Sequence, residues 1–211
     1  MGTRGSIGYI YKDKEYLSYN NFDSYPSVLG VDVLSFIAKI NEENGWDKFK
    51  EYASILKDIK EEDITDEIIE KYKKYADLNV STKSYSDPYC LFRNIQGCEW
   101  MEELYKGNLQ HFTLNNEFIK DSLYCEYAYI INLDTMKLEF YNGFQKEPQL
   151  SNRFGTKSGK YYPCRLVGVF SLSNTDKNII EKMNSICESE IDDPSVTMYF
   201  RKPKLVALSK L

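Results

Sequence analysis

A chain of 211 residues, 42% hydrophobic and 28% charged, has the composition of a globular protein and enough length to bury its own core, so it reads as one domain over 1–211. Its net charge of −5 speaks against nucleic acid as a partner, because phosphate binding draws on clustered Lys and Arg; no run of about 18 apolar residues marks a membrane span. The start of the chain lacks the apolar stretch of a secretion signal and the five cysteines follow no CxxC spacing, which points to a cytoplasmic protein with reduced thiols.

Residues 6–20 predict a β-hairpin: "SIGYIYK" and "EYLSYN" are rich in Ile and Tyr, and "KDKE" supplies the turn. Leu29, Val33, Phe36, Ile37 and Ile40 then recur at helical spacing, predicting a helix over 27–43, capped by Ser27 and ended by Asn44-Gly45. A second helix is expected over 46–60, with Trp46, Phe49, Ala53, Leu56 and Ile59 on one face. Thr65 is placed to cap a third, with Asp66 and Glu67 in its first turn. Residues 79–88 read as a loop, and "PYCLFRNIQGCEWMEELYKGN" as two short helices broken near Gly97. "LYCEYAYIINL" alternates as a strand, with Leu123, Cys125, Tyr127, Tyr129, Ile131 and Leu133 on one side; "LEFYNG" returns beside it, and "YYPCRLVGVFSL" adds an edge strand. Asn174 is placed to cap a helix over 175–188, and "VTMYF" and "LVALS" read as tail strands. The order predicts an α+β fold: a mostly antiparallel sheet with helices packed on it, an N-terminal hairpin followed by a helical run, and a helical elaboration over about 45–110.

The chemistry concentrates at "YNNFDSYPSVLG", residues 19–30, where a strand gives way to a helix. A hairpin returns its far end beside its beginning, so Thr3 and Arg4 of "MGTRGS" are expected near Tyr19, Asn20, Asp23 and Tyr25, with Glu126 and Tyr127 of the central strands close by. Backbone amides at a helix start, tyrosine faces and amide side chains suit a small polar or anionic molecule. The same residue types also satisfy a tight connection's own backbone. Arg4 either bridges to Asp23 or faces the ligand. Glu126 is a general acid or base candidate, or pairs with Arg93 or Arg165. Arg153, Lys157 and Lys160 read as a solvated loop. His111, the single histidine, gives no basis for a metal site, and no Walker, GxGxxG, GxSxG or HExxH motif points to a cofactor or a catalytic residue. A second reading makes the chain a non-enzymatic protein that binds a host protein through its acidic helices at 46–77 and its tyrosines.

"MGTRG", "YNNFDSYPSVLG" and "CEYAYIINLDTMKLEFYNG" together resemble a family of small uncharacterised proteins of phages, bacteria and fungi. The matching positions are Tyr19, Asp23, Tyr25, Pro26, Gly30, Glu126, Tyr127, Tyr129 and Asp134, about a third of the chain, with Asn132 standing where Asp is common. The resemblance implies a phage or prophage origin and no activity. The element order is also similar, distantly, to that of N-terminal nucleophile amidohydrolases; chemistry of that kind requires Thr3 as the exposed first residue.

Overall fold

The computed structural model describes residues 2–149, 152–155, 160–176 and 178–189. β1 (Gly5–Tyr11) and β2 (Lys14–Asn20) form the hairpin. Its turn, Lys12-Asp13, has positive φ at both residues (53° and 58°), the geometry whose twist matches that of the strands it joins. Asp134 holds this turn in place: its Oδ1 accepts from Lys12 N at 2.8 Å and its Oδ2 from Asp13 N at 2.9 Å.

Beyond β2 the chain makes a π-helical turn at Pro26–Gly30, in which Gly30 N donates to Tyr25 O at 3.3 Å, and only then enters α1 (Val31–Glu42). The helix therefore starts later than expected, and Ser27 does not cap it, because it lies inside the turn that precedes the helix. Val33, Phe36, Ile37 and Ile40 are buried as their spacing predicts. Asn44 (φ 50°) and Gly45 end the segment, with Gly45 N donating to Ile40 O.

α2 (Trp46–Ile55) is shorter than the 46–60 expectation. Leu56 turns extended, so that β3 (Lys57–Asp58) can pair in parallel with β4 (His111–Phe112) while Leu56 and Ile59 still reach the core. α3 (Asp66–Tyr72) is capped by Thr65, whose hydroxyl accepts from Ile68 N. α4 (Pro88–Leu91), a 3₁₀ turn at Arg93–Ile95 and α5 (Glu99–Tyr105) follow, interrupted at Gly97, whose φ of +66° suits glycine.

β5 (Tyr127–Asn132), β6 (Lys137–Asn142) and β7 (Arg165–Ser171) complete the sheet, and α6 (Asn178–Ser189) packs on it. β5 begins at Tyr127 rather than 123, so Cys125 joins the opposite face from Tyr129 and Ile131. α6 begins later than 175 because Asn174 and Asp176 accept from the amides two residues on, Asp176 N and Asn178 N. The strands expected in "VTMYF" and "LVALS" lie outside the described residues.

The five-stranded sheet runs β2-β1-β5-β6-β7; only the central β1–β5 pair is parallel, and the other three pairs are antiparallel. The larger core joins Ile7, Tyr9, Tyr129 and Phe140 of the sheet to Phe36, Phe49, Trp100 and Met183 of the helices. A smaller one covers the other face with Ile10, Leu17, Ala128, Ile130, Tyr141 and Phe154. At the β2 edge, the amide of Asn116 completes the strand's hydrogen bonds: its Oδ1 accepts from Leu17 N at 2.9 Å and its Nδ2 donates to Glu15 O at 3.0 Å.

Candidate functional site

The strand-to-helix junction spends most of its polar groups on itself. Asn20 Nδ2 donates to Phe22 O at 2.6 Å and to Ser24 Oγ at 2.8 Å. Ser24 N donates to Thr3 O, and the buried Tyr129 hydroxyl donates to Ser24 O at 3.0 Å. Gly5 lets this knot close, since a Cβ there would lie 2.6 Å from both Ser24 Oγ and Tyr127 O. The chain start and the approach to α1 are thus in direct contact.

The residues singled out in the sequence divide into four groups. Thr3 is buried with its carbonyl tied to Ser24. Arg4, Tyr19 and Glu126 share one side. The Arg4 guanidinium lies 4.6 Å from the Tyr124 ring centre, and Glu126 Oε1 accepts from Arg4 N. Burial raises the pKa of the Tyr19 hydroxyl against the opposing charge of Arg4. Among the described residues Arg4 forms no ion pair with Asp23, and Glu126 none with Arg93 or Arg165. Tyr25 and Tyr127 meet separately, with ring centres 6.0 Å apart, and burial first, then the charges of Cys187 and Glu126, push Tyr127 up to about 12.

Asn20 and Asp23 alone of the eight line a cleft of about 560 Å³ between the junction, α1 and the 93–102 segment. Its apolar wall is Phe22, Val28 and Leu29; its acidic wall is Asp23, Asp32, Asp77, Glu99 and Glu102. Asp32 and Glu99 are both raised above the usual carboxylate range, by burial first and then by the charge of Glu102. Lys39 approaches Glu102 at 3.9 Å, whereas Asp23, Asp32 and Glu99 enter no hydrogen bond or ion pair among the described residues. One cation stands in the lining. Arg93 sits between the rings of Phe22 and Tyr89, 5.5 Å from each centre, and its buried Nε has no partner. Gln96, three residues on, has a buried Oε1 that is also without a partner. Sequence reasoning did not single out Arg93 or Gln96 for this site, because both come from a turn about seventy residues away in the chain and no spacing rule links them to Asn20.

A second carboxylate cluster is structural. Glu139 is fully buried; its Oε1 accepts from Asn132 Nδ2 (2.7 Å) and from Arg153 Nη2 (2.8 Å), and its Oε2 from the Tyr141 hydroxyl (2.6 Å). Arg153 is thus an exposed turn residue, as expected, whose guanidinium reaches in to the buried Glu139; Lys160 is exposed as well, and Lys157 lies outside the described residues. Asn132 also accepts from Asp134 N and Thr135 N, so an aspartate here would keep that turn but set a second carboxylate against Glu139. His111 Nδ1 contacts the Tyr72 hydroxyl at 3.2 Å, and its pKa is lowered by burial and by Lys71 and Lys57. Among the described residues no three His, Cys, Asp or Glu side chains gather as metal ligands, and no helix is long and apolar enough to cross a membrane. Comparison with protein-family models, with curated proteins and with solved structures gave no match.

Proposed function

We propose that the protein binds a small polar molecule in the junction cleft, one that carries a positively charged group for the acidic wall and an acceptor for Arg93. The observation that carries this reading is the coexistence, in one recess, of three carboxylates and one guanidinium with no hydrogen-bonding or ion-pair partners. The three carboxylates are exposed and solvated, so they act through their charge; Arg93 Nε is the buried atom without a partner, and such an atom costs about 1–3 kcal/mol. The excess of carboxylates narrows the polar-or-anionic ligand of the sequence reading to a cation or a zwitterion. Turnover is not part of this reading.

The test is a melting-temperature screen with free amino acids, diamines, nucleotides and sugars. A ligand at a hundred times its Kd stabilises by about 2.7 kcal/mol, well within detection. Amino acids or diamines should raise the melting temperature, and Glu99→Gln or Arg93→Ala should reduce the rise. No shift with any of the four classes, or a shift only with nucleotides that survives Arg93→Ala, overturns the reading.

One observation favours the alternative of a protein-binding surface. Phe22, Tyr25, Val28 and Val31, within ten residues of one another, are each 41–49% exposed. Large apolar side chains gathered on a surface are characteristic of contact sites. Recovery of the same lysate protein by the wild type and by a Val28→Lys, Val31→Lys double variant would argue against that role.

A further inference from the structure

On the other side of Gln96 from the acidic cleft lies a second cavity, of about 370 Å³. Its composition is different. Phe92 and Phe112, each 1% exposed and with ring centres 5.1 Å apart, form its deep part. The half-buried Tyr19, Tyr89 and Phe118 form its outer part, with Tyr19 and Phe118 meeting edge to face at 4.8 Å. Ser18, Thr113, Leu114 and Asn115 complete the lining, and among the described residues no charged side chain belongs to it. Gln96 is the one residue that lines both cavities, and its unpartnered Oε1 is the polar group without a partner at this wall.

We infer that this cavity is a binding site for a planar nitrogen heterocycle of the nucleobase type, stacked on the aromatic side chains and donating an N–H to the Gln96 amide. The volume lies within the range of small-molecule sites, and a mainly aromatic lining joined by a few polar side chains, here Gln96, Ser18, Thr113 and Asn115, is the usual make-up of such a site. Ring faces suit a flat π-system, because stacked and edge-on arrangements are both favourable for aromatic quadrupoles. The acceptor selects against a plain hydrocarbon ring, since a ligand with an N–H donor pairs an atom that otherwise stays unsatisfied. Rotation about the last torsion of a glutamine is soft, so the amide can turn toward the cavity at little cost. The inference does not rest on the function proposed for the acidic cleft; a neutral heterocycle addresses neither Arg93 nor the carboxylates.

The experiment is an NMR titration of the full chain with adenine and with 9-methyl-N6,N6-dimethyladenine, which has no N–H donor. Adenine should move the ring resonances of Tyr19, Tyr89 and Phe118 saturably, and the donor-free analogue should bind about tenfold more weakly. Tyr89→Ala should weaken adenine binding at least about tenfold, the scale of one stacked base. Thr113→Phe, which fills the cavity rather than opening it, should abolish binding in a chain that keeps its ring-current-shifted core signals. Gln96→Leu should bring adenine and the donor-free analogue to equal affinity. Unmoved ring resonances, binding of the donor-free analogue as tight as that of adenine, or unchanged binding in Thr113→Phe would each overturn the inference.

Discussion

Glu139 has no contact with water, and both its oxygens are used. Removing it takes a charged acceptor from the buried Asn132 and Tyr141 and from Arg153, whose side chain still reaches solvent, a loss of about 3 kcal/mol. Glu139→Ala should therefore lose about that much in urea unfolding. Glu103 behaves differently. Burial works against its charge, but hydrogen bonds from Lys106, Tyr75 and Asn108 hold it down to about 2, from an ordinary value of 4.5. A depressed carboxylate contributes stability above its unfolded pKa and loses it as pH falls. Glu103→Gln should thus be less stable than wild type above about pH 4.5, by about 1–2 kcal/mol once screening of half-exposed Lys106 is allowed for, and equal to it near pH 2. At this scale the sequence was legible where a residue acts on its neighbours. Thr65 reads as a cap and Asn20 as a turn former because their partners lie within four residues. Glu139 and Arg153 were not legible as a pair, because the strand pattern says only which face Glu139 takes, and the Gly/Ser-rich company of Arg153 suggests solvent.

Among the elements, the hairpin, α1 and the broken helices around Gly97 follow from periodicity and from turn residues. The departures at α1 and α6 are local, a π-helical turn and the Asn174 and Asp176 side chains; two others come from distant contacts. Helix α2 stops at Ile55, and β5 starts at Tyr127, where contacts with distant segments outweigh local preference: β3 pairs with β4 across more than fifty residues, and β5 is set by its parallel register with β1. Only two of the eight candidate residues reach the cleft for the same reason: the hairpin's return could be foreseen, but not the arrival of the 93–102 segment. Gly97 makes that arrival possible. Gly97→Ala meets Leu29 Cδ1 at an ordinary 3.4 Å, so its penalty is backbone strain at φ +66°, about 1–2 kcal/mol. Thermal unfolding should report that loss, and ligand affinity in the cleft should fall with it, because the turn carries Arg93 and Gln96.

For the molecule as a whole, the acidic cleft and the exposed Phe22, Tyr25, Val28 and Val31 lie around the junction, the aromatic cavity reaches from Gln96 to Phe118 at the border of the smaller core, and that core is closed by loops and the Glu139 cluster. The net charge of −5 is concentrated in part at the cleft, where the charge of Glu102 adds to burial in raising Asp32 and Glu99.

The amide of Asn116 has a consequence for how copies of this chain behave together. An outermost strand with open amides and carbonyls is a template on which another molecule can add, and here the Asn116 side chain covers Leu17 N and Glu15 O while Asn115 N covers Leu17 O. Asn116→Ala should leave the monomer folded yet let it polymerise at high concentration, seen as thioflavin-positive fibrils or a rising light-scattering signal; a variant that stays monodisperse would show that the edge is guarded by something else.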